Sequence, residues 1–215
     1  MGSSVTIVVK IGGSLTRTGP PRRLLERMCG RPGVVLVPGG GALADQVRVM
    51  QPQMALSDGA AHRMAILAIE QMGHAFLDIA PALFPVRTLA DLTSAGGGTA
   101  LWLPAAMTLD APDIPQGWDV TSDSLALWLA VRLAAERLVL VKAPGVAVPT
   151  STDRARDLAA WSRHGLVDAA FATMALGYSG DIVLIPADDG ALLDRVLEPP
   201  PPQGIEENQE GRRRS

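Results

Sequence analysis

The sequence has little cysteine, few aromatic residues and no strong excess of charge of either sign. Cys29 is the one cysteine among 215 residues, so the chain cannot form an internal disulfide bond or a cysteine-based metal cluster. The formal net charge is −3, which gives no sign of the clustered basic charge that binds nucleic acid. Scarce cysteine is typical of a reducing compartment.

Long hydrophobic runs are also missing. No apolar run reaches the ~18 residues that a membrane-spanning helix needs. Met1 to Ser4 leads directly into a strand-like segment, without the hydrophobic region of a signal peptide. We therefore expect a cytoplasmic globular protein with neither a membrane nor a nucleic-acid partner.

Lysine is scarce relative to arginine. Only Lys10 and Lys142 are lysines among the 19 basic residues. Chance is one interpretation. The other is that these two positions need a compact ammonium group where a planar guanidinium would not serve. The location of the two lysines in the fold decides between these interpretations.

Short apolar segments alternate with helical patterns along most of the chain. The predicted strands are Val5–Ile11, Gly33–Val37, Phe76–Ile79, Ala100–Leu103, Arg137–Val141 and Asp181–Ile185. The predicted helices are 20–29, Ala42–Met50, Ser57–Met72, Ser124–Glu136 (capped by Asp123), Arg154–Ser162, Val167–Leu176 and Asp188–Leu197. This alternation predicts an α/β protein whose mainly parallel sheet is covered on both faces.

The chain is predicted to fold as one domain over residues 1–198. Four successive prolines and a charged, polar run follow over residues 199–215. That segment is too poor in apolar residues to build a core, so it is predicted to be a disordered tail.

Three motifs follow predicted strands, at the edge of the sheet where α/β proteins bind ligands. They are Lys10-Ile11-Gly12-Gly13-Ser14, Pro38-Gly39-Gly40-Gly41 and Lys142-Ala143-Pro144-Gly145. Glycines let backbone N–H groups approach an anion, and a lysine adds a point charge. Two such cradles and both lysines on one edge indicate two phosphate-bearing ligands, which is the layout of a phosphoryl transferase.

The segment Asp119-Val120-Thr121-Ser122-Asp123 supplies carboxylates and hydroxyls just before an apolar helix. An isolated aspartate at such a place is more often a helix cap. Among glycine and lysine motifs, the alternative is a carboxylate that holds a phosphate-binding lysine or a metal ion.

His62 lies four residues after Asp58, so the two share a helix face. A surface or satisfied pair is the simpler interpretation, and a ligand-binding pair is the other.

Other motifs are missing or incomplete. There is no G-x-x-x-x-G-K-[ST], no H-E-x-x-H and no G-x-S-x-G, which argues against Walker-type nucleotide binders, zinc peptidases and α/β-hydrolases. Residues 39–44 satisfy G-x-G-x-x-A, but the nearest acid at the required distance, Asp58, begins a helix. A dinucleotide-binding fold needs that acid at the end of a strand.

In order and spacing, the segments VKIGGS, VPGGG, TSD and KAPG resemble the amino acid kinase family. The resemblance covers most of residues 5–185. It implies a three-layer αβα fold, ATP and Mg²⁺ as cofactors, transfer of phosphate to a carboxylate or phosphate, and a homo-oligomer. It further implies that Lys10 and Asp123 are catalytic, and that the ATP-binding residues are Lys10, Gly12, Gly13, Lys142, Gly145 and Val146.

A narrower resemblance joins the segments LSDGAAH and WDVTSDS to the methanofuran-biosynthesis kinases, which phosphorylate (5-(aminomethyl)furan-3-yl)methyl phosphate. It implies acceptor binding by Gly39, Gly40, Gly41, Asp58, His62, Asp119, Thr121 and Ser122. Because this acceptor carries an ammonium group, we expect Asp119, together with Asp58, to pair with it in a partly desolvated pocket.

The chain departs from the family pattern in two places. Pro144 stands before Gly145 where the family usually has aspartate, and no lysine follows Lys142. The alternatives are therefore an isopentenyl phosphate or uridylate kinase-like enzyme, and a non-catalytic storage or scaffold member of the same fold.

Overall fold

A computed structural model describes residues 6–18, 21–94, 97–148 and 154–198. The predicted tail, 199–215, lies outside the described residues. Six strands form one sheet in the order β3-β4-β2-β1-β5-β6, and every neighbouring pair is parallel. They are β1 Ile7–Ile11, β2 Val34–Pro38, β3 Phe84–Val86, β4 Ala100–Trp102, β5 Arg137–Lys142 and β6 Asp181–Pro186.

Helices pack on both faces of this sheet, as the alternation of segments predicted. They are α1 Arg22–Met28, α2 Gly41–Gln53, α3 Asp58–Ile79, α4 Leu89–Ser94, α5 Ala105–Thr108, α6 Ser122–Arg132, α7 Arg154–Arg163, α8 Phe171–Met174 and α9 Gly190–Leu197. Short 3₁₀ helices occupy Gly13–Thr18 and Ala175–Gly177. One hydrophobic core lies between the sheet and α6 and α7, and a second lies between the sheet and α1 and α9.

The alternation of side chains along the central strands explains where the lysines lie. Val8 belongs to the α6 core, whereas Val9 and Ile11 belong to the opposite core. Successive side chains of a strand point to opposite faces, so Lys10 shares the face of Val8. In β5, Lys142 shares the face of Leu140 by the same rule. Both lysines therefore project toward the side of the sheet that α6 covers.

The predicted strand Phe76–Ile79 is wrong, because these residues form the last turn of α3. Buried positions continue through the helix at spacings of three and four, ending with Ile69, Gly73 and Phe76. A Cβ at Gly73 would lie 2.6 Å from Leu103 Cδ2, so the glycine permits close packing of α3 on β4 and does not end the helix. The strand that follows is β3, Phe84–Val86.

Two further expectations need correction, and two helices were missed. The predicted helix Val167–Leu176 is limited to α8 and the short 3₁₀ helix after it. The short helices α4 and α5 were not predicted. The predicted cap of α6 by Asp123 is also wrong, since Asp123 lies inside the first turn. Among the described residues, no helix has the length and hydrophobicity needed to cross a membrane.

Candidate active site

Three buried charged side chains meet at the carboxyl edge of the central strands. Lys10 Nζ lies 2.9 Å from Asp123 Oδ1, and Lys142 Nζ donates a hydrogen bond of 2.8 Å to the same oxygen. Lys10 is 5% exposed, Asp123 7% and Lys142 9%. One carboxylate oxygen therefore holds both of the chain's lysines, which favours a functional reason for their retention over chance.

The fold places the three residues together by simple geometry. Lys10 lies opposite Leu140 in the β1–β5 register, two positions before Lys142 in β5. Asp123 lies in the first turn of α6, on the covering layer above this face. The amino-terminal end of a helix favours a negative charge, so α6 supports the ionised carboxylate between the lysines.

The charges of this cluster shift each other's proton affinities. Burial by itself would raise the pKa of Asp123, but the ammonium groups of Lys10 and Lys142 outweigh that effect and lower it. Burial, followed by repulsion from Lys10, lowers the pKa of Lys142 to about 8. Asp123 is thus held as an anion, and Lys142 loses its proton in the mildly alkaline range.

Asp168 supplies the cap of α6 that sequence analysis assigned to Asp123. Its Oδ2 accepts hydrogen bonds from the backbone N–H groups of Thr121, at 2.8 Å, and Ser124, at 3.0 Å. The hydroxyls of Thr121 and Ser124 also donate to its carboxylate. Burial raises the pKa of Asp168, and the hydrogen bonds from Ser124 oppose that shift. Because Asp168 caps the helix, Asp123 is left to contact the lysines.

The two glycine loops touch each other backbone to backbone. A Cβ on Gly13 would lie 2.7 Å from Gly41 Cα, and one on Gly39 would lie 2.9 Å from Gly13 Cα. A Cβ on Gly12 would lie 2.9 Å from Val141 O. No larger residue fits at these positions without moving backbone. The predicted loops therefore form one joint cradle.

A cavity of about 230 Å³ opens beside this cradle. Its lining includes several predicted substrate-binding residues: Gly40, Gly41, His62, Thr121 and Ser122. It does not include Lys10, Lys142 or Asp123, but Gly13 and Ser122 connect it to their segments. Apolar side chains of α3 and α6 form the wall: Ala65, Ile66, Ile69 and Leu125.

His62 is buried at the wall of the cavity, with 5% of its surface exposed. Its Nδ1 lies 3.2 Å from the carbonyl oxygen of Gly117. A carbonyl can only accept, so Nδ1 carries a hydrogen and Nε2 of the neutral ring is a hydrogen-bond acceptor. Burial lowers the pKa of His62, and the bond to Gly117 opposes that effect.

Three other predicted substrate-binding residues, Gly39, Asp58 and Asp119, are not part of the cavity lining. Asp58 is exposed and accepts a hydrogen bond of 2.8 Å from Gln51 Nε2, so the predicted approach to His62 is replaced by a contact within the α2–α3 corner. Asp119 is exposed and is not part of the lining. The desolvated position expected for Asp119 is therefore wrong, because its segment turns that side chain toward solvent.

The predicted nucleotide loop follows β5 on the other side of the lysines. Gly145 has a φ of +70°, a conformation that glycine adopts without strain. Its N–H donates a hydrogen bond of 3.2 Å to Asp188 Oδ1, from the segment after β6. Val146 N–H donates to Ala143 O at 3.4 Å, closing a tight turn. The loop after β5 is therefore tied to the end of β6.

Sequence analysis missed five residues of this region, namely Arg17, Asp45, Arg48, Trp118 and Asp168. The first four line the cavity. They come from the first 3₁₀ helix, α2 and the loop before α6, and no short motif links them. Asp168 lies 45 positions after Asp123, so only the folded chain brings it to α6.

Among the residues that the structure describes, no group of three or more His, Cys, Asp or Glu side chains is placed to hold a metal ion.

Comparisons with known proteins agree with this geometry. No protein-family model matches the chain. A [5-(aminomethyl)furan-3-yl]methyl phosphate kinase from Methanocaldococcus jannaschii is 28% identical over 138 residues, which are 62% of this chain and 63% of that protein. Among solved structures, uridylate kinase from Archaeoglobus fulgidus has a TM-score of 0.61 at 15% identity, over 89% of this chain and 95% of that one. Isopentenyl phosphate kinase from T. acidophilum has a TM-score of 0.56 at 12% identity, with the same coverage of each chain.

This chain has the amino acid kinase fold. The resemblance seen in the sequence motifs is confirmed. The chain matches less than two thirds of the length of the relative from Methanocaldococcus jannaschii.

Proposed function

We propose that this protein is an ATP-dependent kinase that phosphorylates the phosphate group of a small acceptor. The observation that carries the proposal is the contact of Lys10 and Lys142 with a single oxygen of Asp123, at the ligand-binding edge of the sheet. Phosphoryl transfer depends mainly on positioning and on neutralising the charge that spreads over phosphate oxygens. Two ammonium groups held by one buried carboxylate suit that requirement.

The lysines and the loops have distinct roles in this proposal. Lys10, with the backbone of Gly12 and Gly13, contacts the phosphoryl group in transfer. Lys142 and the loop of Gly145 and Val146 bind the nucleotide. Mg²⁺ would be carried largely by the ATP phosphates, as is usual in kinases. Asp123 holds both ammonium groups in place through its ion pairs.

The acceptor phosphate binds in the cavity, at the amino-terminal end of α2. Gly39, Gly40 and Gly41 precede or begin this 13-residue helix, and backbone N–H groups there favour an anion. Ser122 lines the same cavity and can donate its hydroxyl to the phosphate. Thr121 and His62 also line the cavity, but the Thr121 hydroxyl donates to Asp168 and Nε2 of His62 is an acceptor. Typical ligand cavities measure ~300–1,000 Å³, so a volume of about 230 Å³ favours a compact acceptor.

The acceptor that we propose is (5-(aminomethyl)furan-3-yl)methyl phosphate, converted to its diphosphate during biosynthesis of a methanofuran-like one-carbon carrier. The relative that matches by sequence is a kinase for this compound. Isopentenyl phosphate is the competing acceptor, since isopentenyl phosphate kinase shares the fold. A storage or scaffold protein is the competing function.

The test offers ATP and Mg²⁺ to the purified protein with three acceptors, namely the aminomethylfuran phosphate, isopentenyl phosphate and uridylate. Mass spectrometry identifies the product, and ADP release gives the rate. We expect a diphosphate of the furan compound from the wild type and almost none from Lys10→Ala. A diphosphate of another acceptor would overturn the substrate assignment, and no product from any acceptor would overturn the kinase proposal.

A further inference from the structure

The cavity has a charged region that the proposed function does not yet use. Arg17, Asp45 and Arg48 line it. Asp45 is the one carboxylate among the described residues that form the lining. A ligand that reaches this region meets two positive groups and a single negative one.

Asp45 lies along α2 from the glycines proposed to bind the acceptor phosphate. Asp45 is four positions after Gly41, and a helix rises ~1.5 Å per residue, so the distance along the axis is ~6 Å. A five-membered ring with two one-carbon arms spans a gap of that order. The same helix therefore offers N–H groups to one end of such a compound and a carboxylate to the other.

The present partner of Asp45 is weakly held. Arg17 Nη2 lies 2.5 Å from Asp45 Oδ2, and the two side chains are 63% and 41% exposed. Ion pairs this exposed contribute little to stability. A carboxylate has two oxygens, so a ligand cation can share Asp45 with Arg17 or replace it at small cost.

Trp118 gives the same region a fixed flat wall. Its ring packs under the Arg48 guanidinium, 4.3 Å from the ring centre. Its Nε1–H donates a hydrogen bond of 2.5 Å to Gln51 Oε1. Arg48 and Gln51 stand three residues apart on α2, so one helix face orients the indole before a ligand arrives.

We propose that Asp45 binds a protonated amine at the end of the acceptor remote from its phosphate. The inference rests on the proposed kinase function and concerns the selectivity of the same cavity. Among the described lining residues, Arg17 and Arg48 carry the other formal charges. Without Asp45, an ammonium group would therefore be repelled by like charges. Asp119, the residue that sequence analysis favoured for this role, lies outside the cavity lining.

The test compares Asp45→Asn with the wild type on the aminomethylfuran phosphate and on its hydroxymethyl analogue, which lacks the positive charge. We expect KM for the amine to rise about fivefold or more, as suits a partly exposed ion pair. KM for the hydroxymethyl analogue should change less than about twofold, and Asp45→Glu should restore part of the preference for the amine.

Asp110→Asn is the matched control, because Asp110 also pairs with an arginine, Arg63, on the surface. It should leave both KM values unchanged. Equal losses of Asp45→Asn on the two acceptors, or a selective loss in Asp119→Asn instead, would overturn the inference while leaving the kinase function intact. A wild type that phosphorylates neither compound would overturn this inference and the substrate assignment, whereas the kinase proposal falls only if isopentenyl phosphate and uridylate also give no product.

Discussion

Two carboxylates lie at the amino-terminal end of α6, and they contact different kinds of partner. Asp123 forms ion pairs of 2.9 Å with Lys10 and 2.8 Å with Lys142. Asp168 accepts from backbone N–H groups and hydroxyls of Thr121 and Ser124. The pKa of Asp123 is lowered by its lysines, whereas burial raises that of Asp168.

The difference shows how one helix end can serve both the fold and a reaction. A carboxylate that caps a helix uses its lone pairs on N–H groups. Here a distant loop supplies that carboxylate, so the aspartate inside the first turn can hold two lysines. We therefore expect changes at Lys10, Asp123 and Lys142 to affect turnover, and changes at Asp168 to affect stability.

The largest effect should come from removing a lysine of the cluster. Lys10→Ala should lower kcat by about 10³, which is typical for the loss of a charge contact in a transition state. The fold should persist, since Asp123 keeps its bond to Lys142. The measurement is ADP release alongside thermal unfolding. Lys10→Arg keeps the charge without the compact ammonium and should stay far below wild type. Near-normal turnover of Lys10→Ala would mean that the phosphate edge is misplaced.

The variant Asp123→Asn tests directly whether Asp123 and Asp168 have different roles. The variant leaves two ammonium groups without a counter-charge, so we expect kcat to fall by about 10². Releasing a proton costs ~1.4 kcal/mol for each pH unit by which the solution lies below the pKa. Lys142 can therefore become neutral at small cost and need not remain an unpaired buried charge, so Tm should fall by only a few degrees. Activity assays and calorimetry on the same preparation check both statements. Full activity in this variant would show that Asp123 matters only for structure.

A pH profile sharpens the contrast without any mutation. Lys142 has a pKa of about 8, so it is charged below that pH and neutral above it. We expect kcat/KM for ATP to be level below pH 8 and to fall by about tenfold per pH unit above it. At saturating ATP the fall should begin at higher pH, since bound phosphate favours the ammonium.

Lys142→Arg provides the control for that profile. An arginine keeps its charge throughout the range, so the alkaline fall should disappear even if the overall rate is lower. In Asp123→Asn the fall should begin below pH 8, because the carboxylate that raises the lysine's pKa is gone. If kcat/KM of Lys142→Arg still falls at alkaline pH, the fall is caused by the titration of another group.

Sequence patterns predicted the central fold well because its strands are short, apolar and buried on both faces. The strand β2 carries this signal throughout, and β1 and β5 carry it apart from Lys10, Arg137 and Lys142. The pattern misled at Phe76–Ile79, where four mostly apolar residues suit either a strand or a buried helix turn. The strand β3 has only three residues, one of them Pro85, so local sequence gives it little support.

Some residues of the candidate site were likewise predictable from local sequence, and others were not. Lys10, Asp123 and Lys142 were predictable, since each belongs to a local motif at a strand or helix end. The contacts of Asp45 with Arg17 and of Asp168 with the start of α6 were not, because each joins segments far apart in the sequence. Asp119 shows the limit of a local argument, as its neighbours in sequence line the cavity while its own side chain faces solvent.

The smallest effect should come from the caps, and it tests whether Asp168 has only a structural role. Asp168→Asn replaces one carboxylate oxygen by an NH₂ group, which cannot accept the hydrogen bonds that the carboxylate accepts. The free energy of unfolding should fall by ~1–2 kcal/mol. For a chain of this size that lowers Tm by ~2–8 °C. Turnover should change less than about threefold, because both lysines keep Asp123.

Ser57→Ala is the matched control for that measurement, since Ser57 caps α3 by accepting from Ala60 N–H at 3.2 Å and lies on the surface. It should cost ~0.5–1 kcal/mol and leave turnover unchanged. Turnover of both variants is compared at temperatures where both are folded. If Asp168→Asn loses far more turnover than Ser57→Ala, the claim that Asp123 serves the reaction and Asp168 only the fold is wrong. Asp168 would then act on the lysines through Asp123, and the negative charge of Asp168 would contribute to turnover as well as to stability.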